Sequence, residues 1–174
     1  MNTSAMLSRE DILNLIKANP PLVENMPDIE QQVQPNGLDL TVKDIASFSS
    51  SGRIGKQNES RIISEAVPLV FDELGNVDLP PGCYLITFNE VVNIPGNIMA
   101  LAWPRSSLLR CGVSVHNAVW DAGYSGRSQA LMVVFNPHGF RLQKDARLIQ
   151  LVFMHLSQEV AEGYKGIFQG ENIQ

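Results

Sequence analysis

The sequence predicts an all-β fold, an antiparallel barrel or double-sheet roll, preceded by one short helix. Three observations carry this. Apolar or alternating runs are short and recur between Gly, Pro, Asn and Asp residues. A helical period is present in only one segment, near the start. The 174 residues, at 44% hydrophobic and 18% charged, suit a single domain, 1–174, able to bury roughly 70% of its unfolded surface.

The helix is expected over residues 8–18. Leu7, Ile12, Leu15 and Ile16 recur at helical spacing, Ser8 can cap with Asp11 three residues on, and Glu10 and Asp11 suit the positive end of the helix dipole. Pro20 and Pro21 end it, since neither supplies an amide donor. Strands are expected at Leu38–Val42, Val67–Phe71, Gly82–Phe88, Ile98–Trp103, Val113–Val115, Gln129–Phe135 and Leu148–Leu156. Pro80-Pro81-Gly82 and Ile94-Pro95-Gly96-Asn97 have the chemistry of turns. Residues 47–60, polar and rich in Ser and Gly, read as a mobile loop, and residues 163–174 as a flexible tail. No internal repeat recurs at a fixed period.

Composition excludes several functions. A net charge of −5 leaves no basic face for a sequence-blind grip on nucleic acid. No apolar run reaches the ~18–20 residues that cross a bilayer, and the start lacks the apolar core of a secretion signal, so a soluble cytoplasmic protein is expected. Cys83 and Cys111 make no disulfide framework. His116, His138 and His155 are too scattered for a zinc site, and no metal-ligand set is expected. Nucleophile-elbow, P-loop and dinucleotide fingerprints are absent.

Four segments carry chemistry. In Gln34-Pro35-Asn36-Gly37-Leu38-Asp39-Leu40 a turn feeds a strand, and the Asp39 carboxylate must either meet solvent or pair with something on the face opposite its leucines. Trp103-Pro104-Arg105-Ser106-Ser107-Leu108-Leu109-Arg110 sets two hydroxyls between two guanidinium groups, which reads as an oxyanion cradle or as a short helix with both arginines solvated. In Asn117–Gln129, Gly123 and Gly126 imply a tight turn, Asp121 closes an apolar run where it can be partly desolvated, and Tyr124 offers a flat face for a sugar or base. The same residues also make an ordinary hairpin. In Asp145–Phe153 strict alternation puts Arg147, Ile149 and Leu151 on one face, with Leu148, Gln150 and Val152 on the other. The tail sets Tyr164 and Phe168 among glycines, as a frayed end or as a flap over a ligand.

These motifs, in this order, resemble the dUTPase and dCTP deaminase superfamily from about Gln34 onward. The resemblance rests on Asn36-Gly37-Leu38-Asp39-Leu40, on Pro104-Arg105-Ser106-Ser107-Leu108 with Arg110 and Gly112, on Val119-Trp120-Asp121-Ala122-Gly123-Tyr124-Ser125-Gly126, and on Arg147-Leu148-Ile149-Gln150-Leu151. The helix and Met6-Leu7-Ser8 resemble the deaminase-like, archaeal-type branch. The resemblance implies a homotrimer with a distorted β-barrel or jelly-roll core and sites between subunits. Family deaminases carry a proton-shuttling glutamate three residues before the Asn that ends the strand after the third motif. Counting back from Asn136 gives Val133, which transfers no proton. The implied reaction is therefore hydrolysis of dUTP to dUMP and pyrophosphate; the alternatives are a dCTP deaminase, a bifunctional enzyme, or a non-catalytic nucleotide-binding regulator.

On that resemblance Asp121 is the general base, activating a water for in-line attack on the α-phosphorus, with Mg²⁺ held mainly by the triphosphate and water. Arg105, Ser106, Ser107 and Arg110 hold phosphate oxygens, not all from one subunit, and Gln150 adds an amide donor. Gln129 matches a glutamine of many dUTPases, displaced by the two-residue extension Arg127-Ser128. Tyr124 packs on the deoxyribose, Asn117 helps read uracil, and Tyr164 or Phe168 covers the base. The tail carries Lys165 where common dUTPases have an arginine-rich arm, and resembles the deaminase branch there.

Overall fold

The computed structural model describes residues 6–173. In chain order the elements are helix α1 (Arg9–Ile16), strand β1 (Val23–Glu24), helix α2 (Ile29–Gln32), then β2 (Val33–Gln34), β3 (Gly37–Phe48), β4 (Ala66–Leu69), β5 (Asn76–Leu79), β6 (Gly82–Phe88), β7 (Val91–Asn93) and β8 (Ile98–Pro104). Helix α3 (Ser106–Arg110) follows, then β9 (Val113–His116), β10 (Ser125–Gly126), β11 (Gln129–Val134), β12 (Phe140–Gln143) and β13 (Arg147–His155). A 3₁₀ turn covers Asn58–Ser60.

The principal sheet runs β8-β13-β3-β6-β11-β9, with β2 and β4 also paired to β3. All of its pairings are antiparallel, and its ends β8 and β9 approach each other, so it nearly closes into a barrel. A three-stranded sheet β1-β7-β10 and the pair β12-β5 complete the β structure. The inward row is aliphatic and aromatic. Leu38, Leu40 and Val42 of β3 meet Ile86 and Phe88 of β6, Met132 of β11 and Ile149, Leu151 and Phe153 of β13, all fully buried. Each such side chain contributes about 1.5–3 kcal/mol by leaving water.

Helix α1 is two residues shorter than expected at its end. Ser8 caps it, the Asp11 amide donating to Ser8 Oγ (3.3 Å) and the Ser8 amide to the Asp11 carboxylate (2.9 Å), while Lys17 and Ala18 only turn back onto the last carbonyls. Helix α3 is the short helix that was one of the two readings of residues 103–110, whereas α2 escaped the sequence reading because four residues are too few to show a period. Strands β1, β2, β5, β7, β10 and β12, of two to four residues, escaped it for the same reason. Residues 47 and 48 belong to β3, where Ser47 and Phe48 pair with Val67 and Ala66, so the loop proper begins at residue 49.

Behind β3 a fully buried carboxylate, Glu90, accepts from Gln32 Nε2 (2.6 Å), the Thr41 amide (3.0 Å) and Thr41 Oγ1 (2.6 Å). Burial pushes Glu90 above the usual carboxylate range, with the Thr41 and Gln32 hydrogen bonds opposing it. The folded chain therefore holds this proton to higher pH than the unfolded chain. The resulting stability is full below the unfolded value and declines as pH rises through the folded one. Glu90→Ala leaves buried donors unmatched, so it should lower stability by about 3 kcal/mol at pH 5. The loss should shrink by pH 8; urea midpoints of both proteins at the two pH values check this, and a gap that widens with pH contradicts it.

Candidate active site

The expected site residues gather around two separate concavities. The larger, about 610 Å³, lies over the outer face of β11 and is lined by mostly apolar side chains, among them Phe48, Ile63, Leu85 and Val119. Asn117, Asp121, Tyr124, Gln129, Tyr164 and Phe168 all border it. The smaller, about 400 Å³, holds Arg105, Ser106 and Gln150 together with Asp39 and Gln34. Ser107 and Arg110 line neither; Arg110 folds back on its own helix, its guanidinium donating to the Ser106 carbonyl at 3.0 Å.

Asp121 is positioned by a short chain of backbone bonds. Trp120 and Ala100 exchange amide–carbonyl bonds (3.1 and 2.9 Å), fixing the entry to the turn on β8. The Tyr124 amide then donates to the Asp121 carbonyl (3.1 Å), and the Gly123 amide to Ile94 (3.0 Å). Gly123 has φ +83°, a conformation open to glycine and costly for other residues. The apolar run that precedes Asp121 suggested a desolvated acid. Instead Trp120 turns into the core while Asp121 stays exposed on the cavity wall. Among the described residues its carboxylate has no hydrogen-bond or ion-pair partner, so its lone pairs are available to water or a ligand.

The aromatic wall is more constrained than a free stacking face. Tyr124 is buried, its hydroxyl donating to Glu171 Oε1 (2.8 Å) and lying 3.1 Å from Ser128 Oγ, with the Tyr164 ring edge-on at 5.7 Å. Burial drives its hydroxyl far above the ordinary tyrosine range. Gln129 spends its amide on Thr87 Oγ1 (2.9 Å), its cross-strand partner, and Asn117 donates to the Ala118 carbonyl (3.1 Å).

The residues from Gly163 onward fold across this turn. The Tyr164 amide donates to Ala122 (2.8 Å), Gln169 Nε2 to Gly123 (3.0 Å) and the Gly170 amide to Ser125 (2.8 Å). Gly163 and Gly123 touch so closely that a Cβ on Gly123 would stand 2.6 Å from the Gly163 Cα. The extension residues have definite work. Buried Arg127 gives its guanidinium to the Asn172, Phe88 and Asn89 carbonyls, and buried Ser128 accepts from Trp120 Nε1 (2.6 Å).

In the smaller concavity the Asp39 carboxylate is buried and meets two cations, Arg105 Nε at 3.2 Å and Arg147 Nη1 at 3.4 Å. Burial raises its carboxyl despite both arginines. Arg147 lies on the Gln150 side of β13, contrary to strict alternation. The register shifts between Arg147 and Ile149, so Arg147 opposes Thr41 and Gln150 opposes Asp39, two positions on one face of β3. Of the alternative reading for residues 103–110, the short helix is present but Arg105 is not merely solvated, since Asp39 holds it.

Val133, which carried the argument against a deaminase, does not border the larger cavity; Gln129, Ala130 and Leu131 are what β11 places there, none of them acidic. The acids on that cavity are Asp121 and Glu171. Glu171, Ser128 and Trp120 received no side-chain role from sequence, although a carboxylate among glycines near an aromatic pair was a signal for the first.

A nearly closed antiparallel barrel with this hairpin and cavity defines a protein of the dUTPase-like fold. A solved 2'-deoxycytidine 5'-triphosphate deaminase from Agrobacterium tumefaciens has this fold, with a TM-score of 0.66 and 21% identity over 88% of this chain and 49% of that one. Residues 6–156 match the dCTP deaminase-like family model, and the chain belongs to that family. Similar curated proteins include a probable deoxyuridine 5'-triphosphate nucleotidohydrolase of Methanosarcina mazei, 52% identical over 97% of this chain and 98% of the relative. One of the same description from Archaeoglobus fulgidus is 44% identical over the same shares. The deoxyuridine 5'-triphosphate nucleotidohydrolase of Methanocaldococcus jannaschii is 37% identical over 81% of this chain and 89% of its own.

Proposed function

We propose that this protein is a dUTP diphosphatase, cleaving dUTP to dUMP and pyrophosphate. The observation that carries the reading is the Asp121 carboxylate, free of partners among the described residues, on the wall of a nucleoside-sized cavity whose strand β11 offers no acid. The names borne by relatives sharing 44–52% of residues over nearly the whole chain support the same substrate.

Asp121 accepts a proton from a water as that water's oxygen attacks the α-phosphorus and the bond to the bridging oxygen breaks, releasing pyrophosphate. Asn117 and the backbone about it read the base, Tyr124 packs on the deoxyribose, and Tyr164 or Phe168 closes over it. Gln129 reaches a phosphate only by leaving Thr87. Arg105, Ser106, Ser107, Arg110 and Gln150 hold the phosphates. In this reading a second chain supplies the phosphate residues, as in a homotrimer with sites between subunits; that the cavity of Asp121 and the cavity of Arg105 have no lining residue in common supports it. Among the described residues no three of His, Cys, Asp and Glu cluster as a metal-binding set. In this reading Mg²⁺ is carried in mainly on the triphosphate and water, where it would offset phosphate charge. No helix among the described residues is long and apolar enough to cross a membrane.

Assaying dUTP and dCTP side by side tests the reading. Pyrophosphate release from dUTP with no ammonia from dCTP is expected. Ammonia at a matching rate would establish the deaminase alternative, and binding of a non-hydrolysable dUTP analogue without turnover would establish a regulator.

A further inference from the structure

Four side chains link the catalytic hairpin to the tail in one directed line. Trp120 Nε1 donates to Ser128 Oγ at 2.6 Å and can do nothing else, since an indole nitrogen only donates. Tyr124 donates its proton to Glu171 Oε1 at 2.8 Å, which leaves its oxygen to accept. The Ser128 hydroxyl, 3.1 Å from that oxygen, therefore donates to it. The order is Trp120 to Ser128 to Tyr124 to Glu171, each donor feeding the next and the line ending on an acid, the arrangement in which successive bonds strengthen one another. Trp120, Tyr124 and Ser128 are buried, and Glu171 is held in place by its own carbonyl, which accepts from the Arg127 amide at 2.9 Å.

The line brackets Asp121. Trp120 precedes it, and Tyr124 closes its turn by donating to the Asp121 carbonyl. Neither Ser128 nor Glu171 hydrogen-bonds Asp121, yet they hold the polar tips of the two aromatic side chains on either side of the acid, Trp120 Nε1 and the Tyr124 hydroxyl. Resting on the dUTP reading above, we propose that Ser128 and Glu171 are positioning residues: tail docking, sensed at Glu171, is passed through Tyr124 and Ser128 to Trp120 and sets the aim of the Asp121 carboxylate. Burial raises the Glu171 carboxyl, opposed by the Tyr124 hydroxyl, as befits an acid enclosed by the docked tail.

The test uses the full chain and three variants, Ser128→Ala, Glu171→Ala and Glu171→Gln. With dUTP, Ser128→Ala and Glu171→Ala should each cut kcat about 10- to 100-fold, the scale of a small misplacement at a catalytic group, while KM changes less than about threefold. Glu171→Gln keeps an acceptor for Tyr124 and should recover most of the loss relative to Glu171→Ala. Wild-type kcat in Ser128→Ala, or equal impairment of both Glu171 variants, overturns the proposal. A second measurement needs no turnover. In a Trp103→Phe background Trp120 is the one remaining indole. Glu171→Ala should shift its emission although the two side chains do not touch, and an unchanged spectrum overturns the relay. If the parent protein releases no pyrophosphate from dUTP, the hydrolase reading fails while the emission result still decides the relay.

Discussion

Asp121→Asn should lower pyrophosphate release from dUTP by about 10²–10⁴-fold, the usual worth of a positioned general base, while affinity for a non-hydrolysable dUTP analogue persists. The substitution is close to isosteric, and the side chain it replaces is exposed and bonded to nothing among the described residues, so the fold has no reason to respond. Thermal midpoints within a degree or two of the parent would confirm that the loss is chemical. Near-normal turnover would remove Asp121 from the reaction and with it the central step of the mechanism. The single-turnover rate and the equilibrium affinity, measured separately, distinguish lost chemistry from lost binding.

Gly123→Ala should be strongly damaging for the addition of a single methyl. At φ +83° an L residue is strained by about 1–2 kcal/mol, and the added carbon would lie 2.6 Å from the Gly163 Cα and 3.0 Å from the Tyr164 nitrogen. Backbone cannot swing aside as a flexible side chain does. The tail must lift, breaking the Tyr164-to-Ala122 and Gln169-to-Gly123 hydrogen bonds that seat it. Both aromatic residues expected over the base leave with it. We expect kcat/KM for dUTP to fall at least about 100-fold together with a lower melting temperature. Gly170→Ala is the control: its φ of +74° brings similar strain, but nothing stands within 4 Å of the added carbon. If the two variants behave alike, backbone strain alone accounts for the effect and the contact between the glycines does not matter.

The seven expected strands all exist, and six of them bury aliphatic side chains that leave a readable run, as Leu38, Leu40 and Val42 do in β3, while β4 buries none. What escaped was short or held by contacts remote in sequence. Strand β10 is two residues paired to β7, and nothing in Ser125-Gly126 announces that. The buried Asp39 was legible as an acid in need of a partner, but its partners lie 66 and 108 residues onward. At the site, the hairpin glycines and Asp121 were readable from local turn chemistry, whereas the exposure of Asp121 was not, since it depends on Trp120 turning inward to reach Ser128. Glu171 was legible as an acid in the tail, but its partner was not, for a similar reason. Its meaning comes from Tyr124, 47 residues earlier, and a tail rich in glycine gives no period from which to infer where it lies.

The offset on β13 has a further bearing on how this chain can vary. Because it inverts the inside–outside parity of what precedes it on the strand, adding one residue between positions 147 and 149 would send the Arg147 guanidinium to the opposite surface. A sequestered negative charge would then face a single counter-charge, while every packed aliphatic group downstream stayed where it was. An insertion at that spot would thus alter the ionic balance of the smaller concavity while leaving the aliphatic groups from Ile149 onward in place.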